Sequence, residues 1–204
     1  MSYGVALAKT AGRITLRLAN SAVLPLDFGP WQQTLSNYLQ EVMETATAMR
    51  EAVKKQNGMV EKKAYSLAAD PKKSMATPTK KPEVPYLDFS PLQNALAALE
   101  KEVDAFSSKD LRAVSLSGKE ALNALLMKAE QQLTSEDGLP RRSWYRHQIY
   151  APGFYTGYGV KTLPGVREAI EQKNWEEAQQ QIEKLAGTLQ QMREYLEQMN
   201  ALVP

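Results

Sequence analysis

The sequence predicts an all-α protein, an antiparallel four-helix bundle that carries one long, ordered, aromatic-rich loop. Apolar residues recur at steps of three and four in several long segments, which is the spacing of one helix face. No segment alternates over more than a few residues as a half-buried strand would. Residues 141–159 differ from this background, because they hold six aromatic residues, three glycines and the single histidine.

The clearest helix is predicted for residues 174–200. Asn174 can cap its start, and Glu176 and Glu177 follow in the first turn, where the helix dipole favours negative charge. Its apolar residues repeat every three and four positions and form one stripe: Trp175, Ala178, Ile182, Leu185, Leu189, Met192, Leu196 and Met199. This pattern indicates a helix that packs along one side.

Four further helices are expected upstream. Residues 1–25 are amphipathic and predict a packed helix, although the abrupt start suggests a chain cut from a longer one. Another runs from about Pro30 to about Lys63. A third begins with Ser90 as its cap and Pro91 at the first helical position. The fourth covers about 109–133, with an irregularity at Ser117-Gly118.

Two segments are predicted to be non-helical within a single domain of residues 1–204. Residues 68–88 are rich in proline and lysine and indicate a solvated, flexible connection; a basic docking patch is the alternative. Residues 135–164 form a connection longer than compact domains usually contain. Long ordered loops of this kind are often functional.

Composition excludes several function classes. The 204 residues have a net charge of +2, which gives no electrostatic reason to expect nucleic-acid binding. Cysteine is absent, so disulfides and thiol chemistry are excluded. No apolar run approaches the roughly 20 residues that span a bilayer.

The residues for catalysis are also sparse. A catalytic zinc site needs several converging ligands, and with one histidine and no cysteine we expect no complete site in this chain. Neither a phosphate-binding glycine loop nor a nucleophile elbow is present. His147 could act as a base for Ser143 or another hydroxyl, but a lone histidine beside Arg146 is more often a structural hydrogen-bonding group.

Two motifs resemble a known family. The stretch "GLPRRSWYRHQIYAPGFYTGYGVKTLPGV" resembles the signature of the carboxyl-terminal domain in the glutamate carboxypeptidase and transferrin receptor family. The stretch "LANSAVLPLDFGPW" resembles the sequence at which that domain begins. The resemblance extends from about residue 5 to residue 200, and the proline-rich connection is specific to this chain.

The resemblance implies a non-catalytic, helical dimerisation domain. In such proteins the bundle packs on the partner subunit and follows a zinc peptidase domain with an inserted apical domain. The chain itself would then hold no metal and perform no catalysis, and zinc would belong to the peptidase domain. A homodimer is implied, without nucleic-acid binding or direct membrane insertion, and the parent protein would lie outside the cytoplasm, in the periplasm or secreted.

The resemblance also assigns roles within the loop. Residues 141–163 would close the parent's substrate cleft, and Tyr158 matches a tyrosine that contacts substrate in the glutamate-specific members. The lysine that precedes this tyrosine in those members is Gly157 here, so a preference for glutamate is not implied. Four other residues are expected to hold the loop on the bundle: Tyr145, Arg146, His147 and Tyr150.

Two other functions remain open at this point. The chain could be a free-standing helical protein that binds a peptide or small ligand with its aromatic loop. It could also be an independent hydrolase that uses His147. A peptidase domain encoded directly upstream would exclude the first alternative, and activity that survives His147→Ala would exclude the second.

Overall fold

The computed structural model describes residues 2–68, 70, 72 and 76–204. Over these residues the fold is mostly helical, as predicted. The helices are α1 (Ser2–Ala19), α2 (Gly29–Glu61), α3 (Ala64–Leu67), α4 (Ser90–Ser107), α5 (Leu116–Leu126), α6 (Pro164–Glu171) and α7 (Trp175–Leu202). Two strands, β1 (Tyr150–Pro152) and β2 (Val160–Thr162), pair in antiparallel fashion.

Helix α7 lies at the centre of the fold. Asn174 caps it as predicted, since its side chain accepts a hydrogen bond from the backbone N–H of Glu177 at 3.4 Å. The predicted stripe is buried from Ala178 to Met199 and packs mainly against α4, with α6 and α5 beside it. Burial of each large apolar side chain contributes about 1.5–3 kcal/mol. The α4–α7 interface therefore provides much of the core.

Helix α2 packs its buried face against α4, and its last third meets the proline- and lysine-rich connection. Asn57 binds the backbone of Lys81 through both its amide nitrogen and its oxygen, each at 2.9 Å. Arg50 donates to the carbonyl of Pro85 at 2.9 Å and stacks on the ring of Tyr86. Residues 80–86 thus lie along α2. Five positions of the predicted flexible segment, 69, 71 and 73–75, lie outside the described residues.

The start of α4 differs from the prediction. Ser90 is the first residue of the helix, and its side chain makes no capping hydrogen bond. The carboxylate of Asp88 accepts from the backbone N–H of Ser90 at 2.9 Å instead. Asp88 therefore satisfies a free N–H at the helix start, which the sequence pattern assigned to the following serine.

The helix predicted for residues 109–133 is divided into three pieces. Two 3₁₀ turns, Leu111–Ala113 and Ala129–Leu133, flank α5. Ser115 caps α5 by accepting from the N–H of Gly118 at 3.2 Å, so the predicted irregularity marks a helix start. A Cβ at Gly118 would lie 2.7 Å from a methyl group of Val114, so close approach of the preceding turn requires glycine here.

The amino-terminal segment is a helix, but it is not packed. All eighteen residues of α1 are exposed, which corrects the prediction of a packed helix. Its amphipathic pattern indicated a buried face, and the described residues of this chain do not supply the surface that would cover it.

The long loop also contains regular structure that periodicity could not reveal. The strands β1 and β2 have three residues each, too few for an alternating pattern to predict them, and this small sheet leaves the fold mostly helical. Helix α6 follows directly, and Arg167 ties it to α2 through Glu41 at 2.9 Å. Two bridges, Thr134 to His147 and Leu139 to Arg142, fold the first half of the loop on itself.

Candidate functional site

The segment between β1 and β2 is a tight turn that carries aromatic residues. The N–H of Gly153 donates to the carbonyl of Gly159 at 2.8 Å, and the N–H of Gly157 donates to the carbonyl of Gly153 at 3.0 Å. Gly157 has φ +60°, a left-handed conformation that glycine adopts without strain. A Cβ at Gly153 would lie 2.2 Å from the hydroxyl oxygen of Thr156. Glycine therefore adopts the backbone at position 157 without strain, and a side chain at position 153 would require Thr156 to move.

The tip of the turn presents aromatic side chains to solvent. Tyr158 is fully exposed, and Tyr155 is 78% exposed. Phe154 packs edge-on against the ring of Tyr155, with 4.9 Å between the ring centroids. The turn therefore has an ordered backbone and a tip available for contact with another molecule.

A buried ion pair anchors the base of the turn. Arg142 and Glu168 form a 2.7 Å salt bridge, and their side chains are only 4% and 9% exposed. Arg142 also donates to the carbonyl of Pro152 at 2.6 Å, and Glu168 accepts from the N–H of Phe154 at 2.8 Å. The pair thus holds both residues that flank Gly153. Loss of either partner would leave a buried charge without compensation.

The nearby cations are all paired with carboxylates. Arg141 binds both carboxylate oxygens of Glu177, at 2.7 and 2.9 Å, and lies near the ring of Phe154. Lys161 binds both oxygens of Glu171, at 2.7 and 2.8 Å. Because Gly157 has no side chain, the tip of the turn has aromatic and hydroxyl groups but gains no charge from that position.

His147 has a structural environment. Its Nδ1 accepts from the backbone N–H groups of Ile149 and Tyr150, at 3.2 and 3.3 Å, and its ring stacks on Tyr150. Burial lowers the pKa of His147, and the Glu130 carboxylate, 3.7 Å from its Nε2, opposes this shift. Within the described residues, His147 makes no hydrogen bond with Ser143.

Tyr150 completes a small cluster with Glu130. Its hydroxyl donates to the Glu130 carboxylate at 2.5 Å, and this hydrogen bond raises the pKa of Tyr150. The ring lies at the edge of a cavity of about 550 Å³, on whose wall Leu26 and Met127 also lie. Tyr150 therefore links the loop to the 3₁₀ turn Ala129–Leu133, which follows α5.

The two remaining loop residues lie nearer the surface. Arg146 pairs with Glu136 at 3.2 Å, and both side chains are more than half exposed. Tyr145 is 37% exposed and lies 5.7 Å from the guanidinium of Arg142. Sequence reasoning missed Arg142 and Glu168, the residues most deeply buried in the loop's anchor. Arg142 follows another arginine in the sequence, and Glu168 lies within a helix. Neither position belongs to an apolar pattern that would indicate burial.

The described residues contain no group of three histidine, cysteine, aspartate or glutamate side chains arranged to hold a metal ion. Among the helices described, none is both long and apolar enough to cross a membrane.

Replacement of Arg142 by alanine should lower the free energy of unfolding by about 3–5 kcal/mol, because Glu168 would remain buried without its cation. The matched control Arg146→Ala removes an exposed pair and should cost less than about 1 kcal/mol. Glu168→Gln keeps an oxygen for the N–H of Phe154 and should have an intermediate effect. Chemical denaturation measures all three, and equal losses for Arg142→Ala and Arg146→Ala would contradict the anchoring role.

The melting temperature should fall as the pH decreases from about 7 to about 5. The pKa of His147 is lowered in the folded state, so the folded protein binds fewer protons than the unfolded chain, whose histidine titrates near 6.5. The contribution of His147 to the free energy of unfolding is therefore complete above about pH 6.5 and is lost as the pH falls through the pKa of the folded state. Calorimetry of His147→Asn, which keeps an acceptor but does not titrate, should show a smaller decrease over the same range.

Comparison with known proteins identifies the family of this chain. The family model described as the transferrin receptor-like dimerisation domain matches residues 87–197, more than half of the chain. The matched residues include α4, α5, the aromatic turn, α6 and most of α7.

Several curated proteins are similar. The probable glutamate carboxypeptidase LAMP1 of Arabidopsis thaliana is 28% identical over 91% of this chain and 23% of its own length. The aminopeptidase NAALADL1 of Rattus norvegicus is 26% identical over 81% of this chain and 18% of its own length. The inactive zinc metalloprotease C354.09c of Schizosaccharomyces pombe is 29% identical over 50% of this chain and 14% of its own length.

The chain spans less than a quarter of the length of each of these relatives. Its helical fold, the family model and the resemblance to glutamate carboxypeptidases agree. The chain belongs to the transferrin receptor-like dimerisation domain family.

Proposed function

We propose that this chain is the non-catalytic dimerisation domain of a longer, glutamate carboxypeptidase-like zinc metallopeptidase. Residues 1–204 form one domain in this proposal, and the zinc is held by the peptidase part. The observation that carries the proposal is the family match over residues 87–197. The longer protein is a homodimer through the helical bundle, with the peptidase and apical domains as neighbours, and it works in the periplasm or after secretion.

The second part of the proposal concerns residues 141–163, which close the substrate cleft of the peptidase. An ordered backbone with an exposed tip suits this role, because a rigid loop loses little conformational entropy when it contacts a substrate. Tyr158 is the residue proposed to contact substrate, since its hydroxyl can donate to a carboxylate and its side chain is fully exposed. Tyr145, Arg146, His147 and Tyr150 are the residues proposed to support the loop on the bundle, with Arg146 contributing least because its pair with Glu136 is exposed.

Selectivity for an acidic substrate side chain is not part of the proposal. Gly157 supplies no cation, and the charges of Arg141, Arg142 and Lys161 are already compensated by glutamates. A substrate carboxylate that moved from water to this turn would lose its hydration and would meet uncharged groups in place of water. A charge-assisted hydrogen bond from a lysine at this position would otherwise contribute about 1.5–3 kcal/mol.

The longer protein that carries this domain should have twice its subunit mass in solution. Apolar surface on the bundle would be covered in the dimer, and dilution should not separate the subunits at micromolar concentrations. Size-exclusion chromatography with light scattering measures the mass. A strictly monomeric protein at these concentrations would contradict the dimerisation role.

Replacement of Tyr158 by phenylalanine should lower kcat/KM of the longer protein about tenfold or more, because a hydrogen bond to a charged group of the substrate is lost. The matched control Tyr155→Phe removes a hydroxyl from the same turn and should change kcat/KM less than about twofold. Both side chains are exposed, so the melting temperature should stay the same. Equal kinetic effects for the two variants would argue against a specific role for Tyr158.

A further inference from the structure

The positive charge of this chain is concentrated in one segment, residues 50–86. The segment holds nine of the 25 basic residues and four of the 23 acidic residues, a net charge of +5. The remaining residues have 16 basic and 19 acidic side chains, a net charge of −3. Residues 68–88, the proline- and lysine-rich connection, hold four of the nine basic residues. The other five lie in residues 50–63, at the end of α2 and just after it.

The structure brings the two halves of this segment together. Asn57 on α2 makes two hydrogen bonds with the backbone of Lys81, each of 2.9 Å, although 24 positions separate the two residues in the sequence. Lys80 pairs with Glu61 on α2 at 2.6 Å. Part of the connection is therefore held against α2, and the lysines of both lie on one region of the surface.

Three lysines share one face of α2. Lys54, Lys55 and Lys62 line a shallow groove of about 420 Å³ on the surface of the helix. Eight residues separate the first and the last of them, which corresponds to about 12 Å along the helix axis. Lys54 also lies on the wall of the cavity that α2 forms with the connection. The groove and the connection therefore form one continuous surface.

The lysines of this surface face water without a compensating charge. Among the residues that the structure describes, five of them have no carboxylate within salt-bridge distance, and all five are exposed: Lys54, Lys55, Lys62, Lys63 and Lys81. Uncompensated charges of one sign create a positive potential that attracts anions. A bound polyanion would therefore relieve the mutual repulsion of these lysines.

Three glutamates on this surface reduce its charge but do not cancel it. Glu51 lines the groove, and Glu83 lies on the cavity beside the connection. Glu61 is already paired with a lysine. Within the described residues 50–63 and 76–86, seven basic side chains stand against these three carboxylates. The surface therefore keeps a clear positive excess.

The choice of lysine indicates the kind of ligand. Eight of the nine basic residues in 50–86 are lysines. Lysine carries a compact, hydrated charge on a flexible chain, whereas arginine favours planar, bidentate contacts with one carboxylate or phosphate. Arg50, the arginine of this segment, already donates to the carbonyl of Pro85 at 2.9 Å. A flexible array of lysines therefore suits a ligand whose charges recur along a chain.

We propose that the end of α2 and the connection form a binding surface for a linear acidic polysaccharide, with Lys54, Lys55, Lys62 and Lys81 as its cationic contacts. The carboxylate or sulfate groups of the polymer lie along the groove, and the attraction is mainly electrostatic. None of these lysines belongs to the aromatic turn. Binding of the polymer would therefore neither require nor exclude the proposed function.

Other polyanions fit this surface less well. Single-stranded nucleic acids are bound by stacking of their bases on aromatic side chains, and no aromatic residue lines the groove among the described residues. Anionic membranes recruit basic helices that also insert large apolar side chains, whereas Met59 is the one such side chain in the groove. A protein partner would normally bury an apolar core at its interface.

Binding to heparin and to polygalacturonate tests the proposal, because the first carries sulfate groups and the second carboxylates. The 204-residue chain should bind both polymers at about 0.1 M NaCl, and Kd should rise steeply with salt because each contact releases counterions. Neutral dextran should not bind. Fluorescence titration with labelled polymers measures Kd over a series of salt concentrations.

A variant without the three groove lysines assigns the binding to this surface. Combined replacement Lys54→Gln, Lys55→Gln and Lys62→Gln should weaken binding about 100-fold or more at about 0.1 M NaCl. The slope of log Kd against log salt concentration should fall by about two units or more, since three cations are lost. The melting temperature should change by less than about 2 °C, because the side chains are exposed.

The matched control removes the same charge elsewhere. Lys9→Gln, Arg13→Gln and Arg17→Gln together neutralise the exposed helix α1, leave the groove intact and should change Kd less than about threefold. A second, uncharged variant tests the role of the connection. Asn57→Ala removes both hydrogen bonds to Lys81 and should weaken binding about threefold or more, because the connection must then be ordered on binding.

Several outcomes would overturn the proposal. Equal losses for the two triple variants would show that the net charge, and not this surface, determines binding. An unchanged Kd for Asn57→Ala would exclude the connection from the site. Tighter binding to vesicles of phosphatidylserine and phosphatidylcholine, or to double-stranded DNA, would indicate a membrane or a nucleic acid instead. Absence of binding to both polysaccharides at low salt would also refute it. None of these results would affect the proposed function, since neither polymer is a peptide.

Discussion

The central helices of this domain are positioned by the burial of one face of α7. The stripe from Ala178 to Met199 packs against α4 along most of its length, and α5 and α6 meet the same helix at its sides. Since α7 is a single continuous helix, the elements that contact it are held in a defined order along one axis. Lys184 on α7 also donates to the carbonyl of Gly138 at 3.0 Å, so the loop is tied to this axis. The helical bundle therefore holds the surface loop in a fixed position.

A buried ion pair, and not apolar packing, connects the helical bundle to the aromatic turn. Helix α6 packs on α7 and carries Glu168, whose two oxygens bind Arg142 and the backbone of Phe154. A buried ion pair contributes little net stability compared with apolar packing, but it fixes direction through its hydrogen bonds. This explains how a turn with exposed aromatic residues can be ordered. Its apolar side chains are not required to hold it in place.

The sequence patterns predicted the helices that show a long apolar periodicity. They missed the elements that are defined by a few hydrogen bonds. The stripe of α7 and the cap at Asn174 were both predicted correctly, because eight regular apolar positions leave little ambiguity. The three-residue strands, α6 and the division of the fourth helix were missed, since each is defined by a few hydrogen bonds. Helix α1 was predicted correctly as a helix and wrongly as packed, because periodicity indicates a face suited to burial without indicating what buries it. For the candidate site, the aromatic loop was located from composition, whereas the Arg142–Glu168 anchor required coordinates.

The backbone geometry at Gly157 determines how the charge of this turn can change during evolution. A side chain there would meet open space, and the left-handed backbone costs a non-glycine residue about 1–2 kcal/mol. Lys63 and Lys173 already adopt φ of 54° and 60° in this chain, so lysine is compatible with that geometry. The strain is comparable with the free energy of one charge-assisted hydrogen bond. A single substitution of Gly157 by lysine would therefore exchange a neutral turn for a cationic one at a cost of about 1–2 kcal/mol in folding free energy.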